Sequence, residues 1–392
     1  MGEYNNTLRE QMMRCYIWGY LTQRHNDYKI AANNAEYSSY RDLRLKRTEV
    51  ALKRAGIPNG LAKIIAKNIT PIEKYISYVI CTLMFIIFSV MWFFVKRRHY
   101  KDMKFCPKLT IYEKMFINIY KSAGYGVKDV THIYLPGQSY KYKELPSVSV
   151  FSGISYGQLF QAYVYSIKMC AFLIKKYRKE EVSFRAYSSF PYFVCFFFVE
   201  NLDNSNELVM YNHYDRWMYM LGNSHLKRTY IQHGKLWYDQ IKRIKCDVAY
   251  YINHEQQKVL EHTLFDNKPE AHFRKSFEYT GMEKLLQNGN KDVLIVCFEL
   301  EAERHETALK RLADRKVNIY LKPHPGDDLS KYDALAKDYQ NVVVLGLFDY
   351  PKVDYVISYN SSLADEYEMH DIPVVKYSDE DYEEKIEKWF NK

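Results

Sequence analysis

The sequence predicts an α/β protein of two parallel-sheet domains with a cleft between them, preceded by a basic helical segment. Three observations carry this. From about Pro107 onward, short apolar, β-branched runs alternate with longer amphipathic runs, the pattern of strands joined by crossover helices. A length of 392 residues accommodates two such units, and 47% hydrophobic residues supply their cores. Ahead of them, Ile76–Val95 carries no charge and runs directly into Lys96, Arg97 and Arg98. We place the domains at 1–105, 106–245 and 246–392.

The front segment comes first. Residues 1–110 hold 19 lysines and arginines against 8 acids, whereas the remainder is close to neutral. The basic character of the chain therefore belongs to the front. This argues against a nucleic-acid-binding protein and for a segment that meets anionic lipid. About 20 apolar residues suffice to cross a bilayer core, so 76–95 is a membrane-associating helix by length. Bases flank it on both sides, so charge asymmetry gives no clean orientation for a single pass. A helix lying in the cytoplasmic leaflet would keep both flanks on one side. Upstream, Leu61, Ile64 and Ile65 oppose Lys63 and Lys67, a short amphipathic pattern. The seven cysteines are widely spaced and form no C-x-x-C pair, which fits a reducing compartment rather than a disulfide framework or a zinc site. The N-terminus has no apolar core of a secretory signal.

In the α/β region, Val130–Leu135 reads as a strand, and the run from Ser155 to Tyr177 as a helix with Lys175 and Lys176 near its end. The stretch from Phe190 to Asn201 is apolar enough to be buried as either helix or strand. A strand then runs to Tyr211, followed by a loop and a helix ending near Gly222. The next strand ends at Gln232-His233-Gly234. The run from Cys246 to Asn253, with a helix through Glu261, follows, and Phe277–Glu283 reads as a short strand and turn. In the last part, strands are expected at Asp292–Phe298, Val317–Leu321, Asn341–Leu347, Asp354–Tyr359 and Ile372–Tyr377, with helices between them and an acidic helix at the end. No internal repeat, no G-x-G-x-x-G and no Walker loop is present.

Three strand ends carry chemistry. At Gln232-His233-Gly234, an imidazole that exchanges protons near neutral pH stands beside a glycine that admits close approach of a ligand. At Lys322-Pro323-His324-Pro325, two prolines hold His324 in a stiff, extended loop, with Lys322 as a second donor suited to phosphate. At Tyr359-Asn360-Ser361-Ser362, hydroxyls and amides stand where a helix begins, a place that attracts anions. Singly, Ser361 reads as an ordinary helix cap with Asp365 completing the pattern. Together, the three ends converge where a nucleotide phosphate would lie.

The order of these motifs, with Thr280-Gly281 between them and the run from Asp354 to Val375 at the end, resembles bacterial surface-polysaccharide glycosyltransferases of the GT-B type. It is similar to capsule-synthesis proteins related to polysialyl- and Kdo-transferases, and to CDP-glycerol glycerophosphotransferases. The resemblance spans about residues 205–376. It implies a GT-B-like fold of two Rossmann-like domains and transfer of a sugar from a nucleotide-activated donor, CMP- or CDP-linked, to a glycan or lipid-linked glycan acceptor at the inner membrane. It further implies that His324, Ser361 and Ser362 hold the donor phosphate, with Lys322, Asn360 and Glu366 in the donor site. His233 would be the base or an acceptor-side group, and Gln232, Gly234, Asn212, His213 and Asp215 would line the acceptor half. The acidic triplet of the His-Pro sialyltransferases is missing, so Asp215, Glu299 or Glu301 would supply any catalytic acid. Neither a cofactor nor a metal is expected: no Asp-x-Asp ends a strand, and Asp327-Asp328 is placed to cap the next helix. Rivals with the same donor grip are a CDP-alcohol-dependent polyol-phosphate transferase and a nucleotide-sugar epimerase; a non-catalytic nucleotide-sugar-binding scaffold is the rival of another class.

Overall fold

The structure is a computed structural model of the chain. It describes residues 10–21, 45, 48–49, 58–106, 113–134, 145–176, 186–211, 216–234, 243–298, 302–324, 327, 329–346, 348–359, 361–377 and 379–390. Asn212, His213, Asp215, Glu299, Glu301 and Asn360 lie outside the described residues.

Two all-parallel sheets form the frame, the α/β architecture expected from the alternation. The first contains β1 (Lys104–Cys106), β2 (Val130–Tyr134), β3 (Ser147–Ser149), β4 (Glu207–Met210), β5 (Lys227–Ile231), β6 (Val248–Tyr251) and β7 (Glu270–Phe273), in the order β3-β2-β1-β4-β5-β6-β7. The second contains β8 (Lys291–Val296), β9 (Val317–Lys322), β10 (Val342–Val344), β11 (Tyr355–Ser358) and β12 (Val374–Lys376), in the order β10-β9-β8-β11-β12. Strands buried on both faces need continuous apolar runs, and β8, β9 and β11 supply them: every residue of β9 is buried. Their register is fixed over the whole of β8, from Lys291 opposite Val317 to Val296 opposite Lys322. Each sheet reverses its strand order once, between β1 and β4 and between β8 and β11. In such Rossmann-like sheets ligands bind beyond the carboxyl ends of the strands at that reversal.

The change of sheet falls between Phe273 and Lys291, later than the boundary at 245/246 read from the sequence. Phe277–Glu283 contributes only a bridge from Thr280 to Tyr350 and one turn, while the strand lies earlier, at β7. β7 is an edge strand with mostly exposed, polar residues, so it lacks the apolar signature of its neighbours.

The described helices are α1 (residues 10–21), α2 (Asn59–Phe93), α3 (Glu113–Ser122), α4 (Tyr156–Lys176), α5 (Ser189–Glu200), α6 (Arg216–Gly222), α7 (His254–Thr263), α8 (Ala302–Ala313), α9 (Leu329–Ala336), α10 (Ser362–Glu368) and α11 (Tyr382–Phe390). The apolar run at 190–201 is a helix, α5, with ten of its residues buried. A helix apolar all round belongs in an interior, and α5 sits beneath α2 and α4. The front of the chain packs onto this unit. Met12, Cys15 and Tyr16 of α1, and Cys81 and Phe88 of α2, share one core cluster with Leu159, Phe190, Phe193, Phe105 and Leu208. The two apolar stretches read upstream form one continuous helix, α2. All seven cysteines are buried and unbridged.

Candidate active site

The carboxyl ends of β8, β9 and β11 are neighbours, because these strands are adjacent in the second sheet. Each end carries an aromatic ring. Phe298, just past β8, stacks on Tyr359, just past β11, with ring centroids 5.0 Å apart, and meets the edge of His324, just past β9, at 5.2 Å. The reversal point of the sheet is thus floored by Phe298 and Tyr359, with His324 at its side.

Local bonds explain how His324 is held. The Asp327 carboxylate accepts from the His324 amide at 3.3 Å and from the Tyr332 hydroxyl at 2.7 Å, while the Asp327 amide returns to the His324 carbonyl at 2.9 Å. Asp327 therefore closes the turn that presents the imidazole. Phe298 is fixed by buried His305. The Phe298 amide donates to His305 Nε2 at 2.8 Å, and Nδ1 lies 3.1 Å from the Tyr377 hydroxyl. The same Nε2 lies 3.0 Å from the Phe298 carbonyl, and burial lowers the His305 pKa to about 4, so the ring is neutral.

Two residues assigned to the donor phosphate have other work here. Ser361 is buried and caps α10: its hydroxyl accepts from the Ala364 amide at 3.2 Å and contacts the Ser358 hydroxyl at 2.8 Å. This is the capping role read from the sequence. Ser362 opens the same helix and is half-buried. Lys322 is engaged locally. Its Nζ donates to the Gly346 carbonyl at 2.6 Å and lies 4.5 Å from the centre of the Tyr350 ring. Burial lowers its pKa to about 7, with the nearby Asp349 carboxylate opposing the shift.

In the first sheet the Gln232-His233-Gly234 loop follows β5. Gln232 is fully buried and acts as a brace: its amide nitrogen donates to the Gly234 carbonyl at 2.9 Å and to Gln256 at 3.1 Å, and its oxygen accepts from the Ile252 amide at 3.0 Å. It shapes the loop. His233 is half-buried, and its Nδ1 donates to the Tyr211 carbonyl, past the end of β4, at 2.7 Å. That bond places a proton on Nδ1. Among the described residues, a Cβ added at Gly234 would meet nothing within 4 Å.

The residue that joins the halves was not singled out by sequence. Arg274 follows β7, where the chain leaves the first sheet. Its Nε donates to the Ser122 hydroxyl at 2.8 Å, one terminal nitrogen donates to the Gln232 carbonyl, and the other lies 3.3 Å from Glu366 Oε1 on α10. Both side chains are nearly buried, Arg274 at 8% and Glu366 at 13% exposed. Burial raises the Glu366 carboxyl above its ordinary value, and the Arg274 charge works against the rise. Next along the chain, the Ser276 hydroxyl reaches the Glu366 carbonyl at 3.2 Å and His370 Nε2 at 2.8 Å. One guanidinium thus touches the loop of His233 and the helix behind Ser361. Glu366, assigned to the donor, is the acid of this junction. An arginine just past an edge strand carries no sequence signal, since its partners sit at positions 122, 232 and 366.

No family model matches the chain, and no curated protein matches it. Among solved structures, it is similar to the wall teichoic acid polymerase TagF soaked with CDPG, at 10% identity and a TM-score of 0.39 over 87% of this chain and 81% of that one. It is also similar to the glycosyltransferase SnogD from Streptomyces nogalater, at 10% identity and a TM-score of 0.36 over 73% and 83%. A third is the spinosyn rhamnosyltransferase SpnG complexed with spinosyn aglycone, at 10% identity and a TM-score of 0.36 over 70% and 80%.

Proposed function

We propose that the protein is a GT-B-type glycosyltransferase that moves a sugar from a nucleotide-activated donor to a bacterial surface glycan, at the cytoplasmic face of the inner membrane. The observation that carries this reading is the Arg274 junction. It holds the His233 loop of the first sheet and the α10 helix of the second on one side chain. The motif order along the chain supplies the class of chemistry.

In this reading the donor nucleotide lies over Phe298 and Tyr359, whose stacked rings offer an apolar ledge, and His324 donates to its phosphate. His233 Nε2 takes the proton of the acceptor hydroxyl as the hydroxyl oxygen attacks the anomeric carbon. The bond from that carbon to the phosphate oxygen breaks, and the nucleotide leaves with the bonding pair. One displacement inverts the anomeric centre, and no metal enters the step. A positioned base of this kind contributes about a hundredfold or more.

The test is to incubate the detergent-solubilised protein with a panel of nucleotide sugars and CDP-alcohols, with and without glycan acceptors, and to measure nucleotide release. Acceptor-dependent release from a nucleotide sugar supports the proposal. Release only from a CDP-alcohol moves the attack to phosphorus and makes the protein a polyol-phosphate transferase. Nucleotide binding without release from any donor makes it a scaffold.

A further inference from the structure

We propose that α2 seats the protein on an anionic bilayer as a helix lying in the plane of the interface, and that it does not span the membrane. This rests on the membrane-face reading above and commits that reading to one geometry. Residues Tyr75–Phe93 are long and apolar enough to cross a bilayer, yet only 17% of the stretch is buried. The helix has two opposite faces. One carries Ser77, Cys81 and Phe88, all buried. The other carries Tyr75, Val79, Leu83, Ile86, Val90 and Phe93, each more than half exposed. Their spacing of three and four residues makes one continuous stripe.

The buried face is tied to the first sheet's helices by directional contacts. Trp92 Nε1 donates to the Ile154 carbonyl at 3.0 Å, Thr82 meets the Tyr163 hydroxyl at 3.1 Å, and Phe85 stacks on Tyr163 at 4.5 Å. Phe88 sits 5.3 Å from both Phe151 and Phe190. A spanning α2 would have to leave these partners, or drag α4 with its terminal Lys175 and Lys176 into lipid. The stripe is also wider than one helix. Tyr156 and Phe160 of α4 are exposed beside it and touch Phe93 and Phe85, at 5.8 and 5.9 Å between ring centres.

Charge selects the occupant. Lys63 and Lys67 near one end, and Lys96, Arg97 and Arg98 just past the other, are all exposed. Lys67 and Phe93, the last helical residue before the basic cluster, are about 39 Å apart along the axis at 1.5 Å per residue. A helix in the plane puts both basic ends against the headgroups of one leaflet, whereas a span strands one end across a core about 30 Å thick. Arg97 lies over the Trp92 ring at 5.2 Å, an interfacial pairing of aromatic and base. A second copy docked on the same stripe would bring basic end to basic end, whether the two helices ran parallel or antiparallel. Anionic lipid complements both ends.

The experiment uses the full chain and phosphatidylcholine vesicles with and without phosphatidylglycerol. Co-sedimentation should require phosphatidylglycerol, and each base removed from Lys96, Arg97 or Arg98 should weaken it about fivefold. Leu83→Glu with Ile86→Glu, both on the exposed face, should abolish it while the far-UV spectrum and melting temperature stay unchanged. Geometry is read by bimane attached at Val79→Cys, Ile86→Cys and Phe94→Cys in turn, since all seven native thiols are buried. Depth-dependent quenching should give one shallow depth for all three. A deepest position at Ile86 with shallower flanks means a span; it overturns the in-plane geometry and leaves the membrane reading standing. No vesicle binding, with a dimer in light scattering that Leu83→Glu dissociates, overturns both and makes the stripe a self-interface. The nucleotide panel judges the transferase reading separately.

Discussion

Replacing Arg274 with methionine keeps the length of the side chain and removes its charge and donors. Three partners are then left: the Ser122 hydroxyl, the Gln232 carbonyl and the Glu366 carboxylate. At 3.3 Å and an effective dielectric of about 20, the ion pair is worth about 5 kcal/mol before desolvation. Breaking a buried pair by removing one partner costs about 3–5 kcal/mol. The cost has a ceiling here. Burial already holds the Glu366 carboxyl above its ordinary value, so without Arg274 it can take a proton instead of staying charged. We expect Arg274→Met to lose about 3 kcal/mol, which moves a urea midpoint down by about 1 M at a slope of about 3 kcal/mol/M. Glu366→Gln alone should lose less, and the double variant should fall short of the sum by about 2 kcal/mol. The pH dependence has a definite sign. The folded-state pKa of Glu366 is raised, so its contribution is fully present below the unfolded value and declines as pH rises through the folded one. The gap between wild type and Glu366→Gln should therefore narrow with rising pH. Urea unfolding followed by circular dichroism, on all four proteins of the cycle, measures these quantities. A coupling below about 0.5 kcal/mol would refute the junction.

Three further outcomes follow from the same geometry. His305, lowered to about 4, binds protons in the unfolded chain before it does so in the folded one; stability should fall as pH drops from about 6.5 to 4, by up to about 3 kcal/mol, and His305→Gln should flatten that limb in urea titrations. Lys322, lowered to about 7, is destabilising in its charged form, so Lys322→Met should raise the melting temperature at pH 6, with the advantage shrinking toward pH 10; a constant difference across that range would mean the amine titrates normally. His233→Ala should bind nucleotide about as well as wild type in calorimetry while transferring about a hundredfold more slowly, whereas His324→Ala should lose nucleotide affinity; the reverse pattern would exchange their roles.

The second sheet was legible because its strands are buried on both faces, which favours apolar runs such as Val293–Val296, Ile319–Leu321 and Tyr355–Ile357 in β8, β9 and β11. The edge strand β7 was not, since Glu270–Phe273 gains its conformation from pairing with β6 rather than from its own composition. Strand ends were legible for the same reason as the strands, and they led to His233 and His324. The direction of a side chain at a strand end was not. Gln232, Lys322 and Ser361 stand at the expected positions but turn to Gln256, Gly346 and Ala364. Local sequence specifies where a strand stops, and rotamers are chosen by distant neighbours. The apolar stretch at 76–95 was visible as a helix, while its packed face became visible only with α4 and α5 in place.

That packing sets an order of events during synthesis. The chain is made from its N-terminus, and α2 is complete at Phe93, whereas its partners α4 and α5 end at Lys176 and Glu200. About a hundred residues must be added in between, which takes about 5–20 s at 5–20 residues per second. Over that interval the face carrying Cys81 and Phe88 has no helix to close against, and the nascent protein displays an apolar segment long enough for a bilayer core. On the membrane reading proposed above, bilayer and protein interior compete in time for one surface: slowing elongation between Phe93 and Glu200 would favour the bilayer, and speeding it the core.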